Sequence, residues 1–175
     1  ARQRRAASDR CARIHARGNV LTITALPPTA LVERLVAELV SRGLRVATLK
    51  HAHHEFDIDV PGTDSYRHRK AGASEVAVVS GRRWALMHEL ESSTEPTLDE
   101  MLARLSPADL VIVEGWKRGA HPKIEVRRSG GAAPLAPEDP SLIAVAADNE
   151  SEVGALPAFG LDDIAGIADF IQARF

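Results

Sequence analysis

Short apolar runs alternating with helix-patterned segments constrain this chain more than any other feature. Asn19-Val20-Leu21-Thr22-Ile23-Thr24 is strand-like, and a five-residue turn leads into segment 30–42. There Leu31, Val32, Leu35, Val36, Leu39 and Val40 share one helical face, with Gly43 as the stop. Further strands are expected at 45–50, 75–80, 84–89, 109–115 and 142–146, with 109–115 the strongest buried-strand signal in the chain. Lys123-Ile124-Glu125-Val126-Arg127 alternates as an exposed or edge strand does. Asp64 is placed to cap a helix over 65–71, ended near Gly72, and Thr97 with Glu100 makes a capping box for a helix to about residue 105. A last helix over 162–174 turns Ile164, Ile167, Ala168 and Ile171 inward. Strands alternating with helices imply a three-layer α/β sandwich around a mostly parallel sheet. Ligands in such folds gather at the C-terminal ends of the strands.

A chain of 175 residues is long enough for one substantial core, so 19–175 is expected to be a single domain. Residues 1–18 differ in character. Arg2, Arg4, Arg5, Arg10, Arg13 and Arg17 face only Asp9, with no apolar run of signal-peptide type and no aromatic for base stacking. They are expected to be a disordered arm or flanking sequence, and a nucleic-acid partner is not expected. The missing initiator methionine points to a processed or partial chain. Cys11 is the sole cysteine, which excludes an intramolecular disulfide and a thiolate-rich zinc site. No apolar stretch is long enough to span a bilayer, so a cytoplasmic protein without membrane partners is expected.

The strand–turn–helix order at 19–42 is that of a P-loop domain, yet the turn is wrong for one. A working loop reads G-x-x-x-x-G-K-[S/T], its backbone amides and lysine cradling phosphates. Ala25-Leu26-Pro27-Pro28-Thr29-Ala30-Leu31 has neither glycine nor lysine, and its two prolines lack N–H groups. Thr29 stands where a P-loop hydroxyl would meet Mg²⁺, or else caps the following helix.

The second strand ends in Lys50-His51-Ala52-His53-His54-Glu55-Phe56-Asp57-Ile58-Asp59. In an extended backbone His51, His53, Glu55, Asp57 and Asp59 share a face, and Phe56, Ile58 and Val60 take the other. Imidazoles with carboxylates suit Zn²⁺, Mn²⁺ or Fe²⁺, and the carboxylates alone suit Mg²⁺. A metal carrier or metal-dependent enzyme using His51, His53, His54, Asp57 and Asp59 is therefore one reading. Pro61-Gly62 makes a tight turn that brings Asp64 and Ser65 to the same edge. Glu114-Gly115 ends the most apolar strand, where P-loop proteins keep an acidic residue for the Mg²⁺ that bridges phosphates. Glu114 and Asp57 are thus the candidate metal carboxylates. Lys117, Arg118 and Lys123 are candidates for an anionic ligand, whereas Asp148-Asn149 fit loop chemistry. No G-x-S-x-G elbow and no G-x-G-x-x-G fingerprint occur.

At KHAHHEFDIDVPGTDSYRHRKAGASEV, SGRRWALMHEL, DLVIVEGWKRGAHPKIEVRR and LIAVAADN the chain resembles the molybdopterin-guanine dinucleotide biosynthesis protein B (MobB) family, over roughly residues 19–150. The resemblance implies a P-loop NTPase fold, a homodimer, and binding of GTP with Mg²⁺. It also implies an accessory role beside protein A, the guanylyltransferase that attaches GMP to molybdopterin, with at most a very weak GTPase activity. Molybdopterin and acceptor molybdoenzymes follow as a possible ligand and partners. Lys50 through Asp59 with Asp64-Ser65 match the family's signature, Glu114-Gly115 match its second nucleotide motif, and Lys123 lies in its PKIEV strand. The family's phosphate loop, similar to G-W-x-x-S-G-K-T-T-L, is about three residues longer than the one here. Losing its lysine and glycine nest removes charge-assisted hydrogen bonds of ~1.5–3 kcal/mol each. GTP binding through Thr29, Lys50, Glu114 and Gly115 is therefore expected to be much weakened, and hydrolysis more so.

Overall fold

In the computed structural model, residues 19–24, 29–52, 56–90, 94–117, 119–129, 139–149 and 155–175 are described. The chain divides into two units, one combining the residues up to His51 with Leu98–Phe175, the other Ala52–Thr97.

In the first unit the strands are β1 (Val20–Thr24), β2 (Val46–Lys50), β5 (Leu110–Glu114), β6 (Lys123–Arg127), β7 (Leu142–Ala147) and β8 (Ala158–Gly160). They form one six-stranded sheet in the order β2-β5-β1-β6-β7-β8, every pairing parallel. One face carries Leu21, Ile23, Leu110, Ile112, Ile124, Val126, Ala144 and Ala146. Against it pack Leu31, Leu35 and Leu39 of α1 (Thr29–Ser41) and Ile167, Ala168 and Ile171 of α4 (Ile164–Arg174). The other face turns Val20, Val111 and Val113 towards Leu98 and Leu102 of α3 (Leu98–Leu102). The result is the expected three-layer α/β arrangement. Alternate residues of each strand serve opposite faces, so central strands must be apolar on both.

The helix ends have local causes. Gly43 adopts φ +89° after α1, a conformation that costs a residue with a Cβ. Asp163 caps α4 by accepting from the Gly166 N–H at 3.0 Å. Arg42 joins α1 to α4 through Asp169 at 2.5 Å and Gln172 at 2.7 Å.

The second unit holds α2 (Asp64–Lys70) and the antiparallel hairpin of β3 (Glu75–Val79) and β4 (Trp84–His88).

Four expectations change. Lys123–Arg127 lies inside the sheet between β1 and β7, with Lys123 and Glu125 buried, because Lys123 pairs with Asp139 and Glu125 with Arg127 of the same strand. Asp64 is the first residue of α2 rather than its cap. The N-cap is Thr63, whose hydroxyl instead bonds the Val60 carbonyl. Helix α3 stops at Leu102. Val40 is 52 % exposed because it sits at the edge of the apolar stripe of α1. Strand β8 was not expected. Replacing Leu35, fully buried between α1 and the sheet, by Ala is expected to cost ~2–5 kcal/mol in urea denaturation, against roughly 0.5 kcal/mol or less for Val40→Ala.

Candidate functional site

The ends of β2 and β5 build the first cluster. Their parallel register makes Lys50 and Glu114 direct neighbours, so the two side chains emerge side by side. Lys50 Nζ lies 3.1 Å from Glu114 Oε1, with the lysine side chain 61 % exposed and the glutamate 15 %. The ladder continues one step further, the His51 N–H donating to the Glu114 carbonyl at 2.8 Å.

Gly115 then turns away at φ +100°, and a Cβ there would stand 2.7 Å from the His51 Cβ. Both backbone conformation and crowding demand glycine. Trp116 also has positive φ, at 46°, which is rare for a bulky residue and marks a strained turn. The strain is compensated by packing, since the indole lies 4.7 Å from the His51 ring and against the Val20–Leu98–Val113 cluster.

The loop beyond is held from below. The Gly119 N–H donates to the Trp116 carbonyl at 3.0 Å, and Lys123 Nζ donates to the Gly119 carbonyl at 2.5 Å. Lys123 also reaches Asp139 at 3.1 Å and the Ser141 hydroxyl, and its side chain is only 2 % exposed. This ammonium is spent inside the protein and is not offered to an anion. The Ser141 hydroxyl, and then Lys123, hold the Asp139 carboxyl below its usual value. Lys117 is exposed, and Arg118 lies outside the described residues.

The second cluster belongs to the unit Ala52–Thr97. Arg69 of α2 donates to Asp57 at 2.5 Å and Asp59 at 3.1 Å, with Glu89 at 3.4 Å. Ser65 donates to Asp59 at 2.9 Å, so the turn at Gly62 does bring Ser65 to this edge. Asp64 is exposed. The guanidinium, with the Asp59 N–H second, pulls the Asp57 carboxyl below its usual value. The opposite side of the same stretch leaves Phe56, Ile58 and Val60 exposed, as the period-2 pattern anticipates. His53 and His54 lie outside the described residues. Among the described residues no three His, Cys, Asp or Glu side chains converge as a metal site would need.

Of the remaining candidates, Thr29 opens α1 and Asn149 follows β7. Asp148 accepts from the Ser129 N–H at 2.8 Å, which lowers its pKa and links the residues that follow β6 and β7. Sequence reasoning did not single out Arg69 or Trp116. The signals were a basic helix after Asp-x-Asp and an aromatic directly after Glu-Gly.

Gly115→Ala is expected to destabilise the protein by ~1–3 kcal/mol, read from denaturation midpoints, because it combines left-handed strain with the His51 collision. Asp57 titrates below its unfolded value, so its pairing stabilises above about pH 4 and is lost as pH falls through the folded value. An acid titration followed by circular dichroism should therefore show a larger stability loss in the wild type than in Arg69→Met, where the Arg69 pairing is absent at every pH.

The family model for molybdopterin guanine dinucleotide synthesis protein B matches residues 24–148. The Escherichia coli (strain K12) molybdopterin-guanine dinucleotide biosynthesis adapter protein is 40% identical over 149 residues, covering 82% of this chain and 83% of that protein. The adapter protein of the same description from Haemophilus influenzae is 37% identical over 147 residues, covering 82% and 80%. A crystal structure of molybdopterin-guanine biosynthesis protein B superposes with a TM-score of 0.69 at 28% identity, covering 89% of this chain and 99% of that one. A MobB homologue from Bacillus stearothermophilus gives 0.63 at 26% identity, covering 89% and 99%. The chain belongs to the MobB family.

Proposed function

We propose that the chain is an accessory, adapter protein in molybdenum cofactor biosynthesis, assisting attachment of GMP to molybdopterin. The observation that carries this reading is 40% identity to an adapter protein of that pathway over 82% of the chain. Its partner in this role is the guanylyltransferase of the same pathway, with acceptor molybdoenzymes downstream. The candidate ligands are GTP and the pterin. The C-terminal ends of β2 and β5, with Lys50, His51, Glu114 and Gly115, are the proposed nucleotide-facing edge. Asp57, Asp59, Asp64 and Ser65 belong to the proposed second cluster. A cytoplasmic location accords with this role, and no helix among the described residues is long and apolar enough to cross a membrane.

Absence of glycine and lysine from residues 25–31 argues for weak GTP binding and against appreciable hydrolysis. A homodimer is supported by the unit Ala52–Thr97. Phe56, Ile58, Val60, Val78, Val79, Trp84, Leu86 and Leu90 are all 47 % exposed or more there, a surface that a second copy would cover.

Two experiments test this reading. Expression in a strain lacking its MobB protein should restore activity of a molybdoenzyme that needs the guanine dinucleotide form, and failure of a folded, expressed chain to do so counts against the adapter role. Light scattering should give twice the chain mass, reduced to the single mass by Trp84→Glu with Val79→Glu. A monomeric wild type would sink the dimer.

A further inference from the structure

A chain without a phosphate-loop lysine still presents an ammonium at the proposed edge. Lys50 ends β2, and β5 stands between β2 and β1. The register aligns Lys50 with Glu114, and Glu114 with Ile23, the penultimate residue of β1. Glu114 shares its sheet face with Ile112, two residues earlier, and that face packs on α1. The Lys50 ammonium, 3.1 Å from Glu114, is thereby tied to the end of β5, the strand that pairs directly with β1. The pair is graded from inside to outside, the carboxylate 15 % and the lysine 61 % exposed. An ammonium has three donors, and Glu114 takes one.

Magnesium does not fit the same place well. Glu114, the carboxylate such an ion would need, already meets a cation of the chain. A divalent ion would have to displace Lys50 from Glu114.

We propose that Lys50, held by Glu114, supplies the phosphate-binding ammonium that residues 25–31 lack, so that the strand ends of β2 and β5 take a pyrophosphate-bearing ligand without a divalent ion. The proposal rests on reading those strand ends as the nucleotide-facing edge. Glu114 orients the ammonium and partly neutralises it, so affinity is modest. Anchoring in one rotamer lowers the entropy cost of immobilising a long side chain at each binding event. Arginine at position 50 preserves the charge, whereas methionine preserves only the stem.

The test is calorimetric titration of the full chain with inorganic pyrophosphate, first in EDTA and then with Mg²⁺. Wild type should bind in EDTA, with Mg²⁺ giving no tighter binding. Lys50→Met should weaken binding by about tenfold or more, the loss of a charge-assisted contact. Lys50→Arg should stay within about threefold of wild type, and Glu114→Gln should bind no more weakly than about threefold, since the ammonium survives. Circular dichroism verifies that each variant is folded, and the arginine variant serves should the methionine variant fail to fold. No binding in EDTA, binding that appears only with Mg²⁺, or equal binding by wild type and Lys50→Met each overturns the proposal. Complementation is a separate readout, so loss of this proposal leaves the adapter role standing.

Discussion

The position of β5 between β2 and β1 is the constraint on which the rest depends. Leu110 to Val113 are at most 1 % exposed, so this strand is packed on both faces and paired on both edges. Its register is therefore tightly specified. A slip of one residue would turn Glu114 to the α3 side and drive Ile112 out of the larger core. The row Lys50, Glu114, Ile23 at the strand ends is a consequence of that pairing, and so is the crowding that requires glycine at position 115. The chemistry at the edge is inherited from core packing several residues away.

Cations of the chain answer its notable carboxylates, but the pairs differ in kind. Lys123 with Asp139 is an interior pair, where loss of one partner strands a desolvated charge at a cost of ~3–5 kcal/mol. The bond from Lys123 to the Gly119 carbonyl ties the loop that carries Trp116 to the sheet. Lys50 with Glu114 is half in water, where such a pair contributes ~0–1 kcal/mol. An interaction that adds so little stability is poorly explained as scaffolding. Arg69 lies between these cases, 12 % exposed and fixing an extended stretch by its two aspartates.

The sheet was legible because buried parallel strands are continuous apolar runs, and β1, β5 and β7 are such runs. Strand β6 was misread for the same reason. Lys-Ile-Glu-Val-Arg alternates perfectly, and local pattern cannot reveal that Asp139 and Ser141, 16 and 18 residues further on, satisfy the lysine. β8 has three residues and no pattern to detect. At the site, the grouping of Lys50 with Glu114 follows from strand ends alone, and the Asp57–Asp59–Ser65 grouping from the period-2 stretch and its turn. The use of those aspartates was not legible. They suggest a metal until Arg69, 10 residues beyond Asp59, is seen between them.

The unit Ala52–Thr97 poses the opposite energetic problem to β5. Among its described residues Val76 is the one buried hydrophobic side chain. Ordering backbone costs ~1–2 kcal/mol per residue, and a two-stranded hairpin alone is marginal in water. Partly exposed ion pairs such as those of Arg69 return only fractions of that. Trp84 is 68 % exposed, Val79 75 % and Phe56 75 %. Burying such side chains is worth ~1.5–3 kcal/mol each. Burial of these side chains against a second copy, as in the proposed homodimer, would supply stabilisation of the order the hairpin lacks.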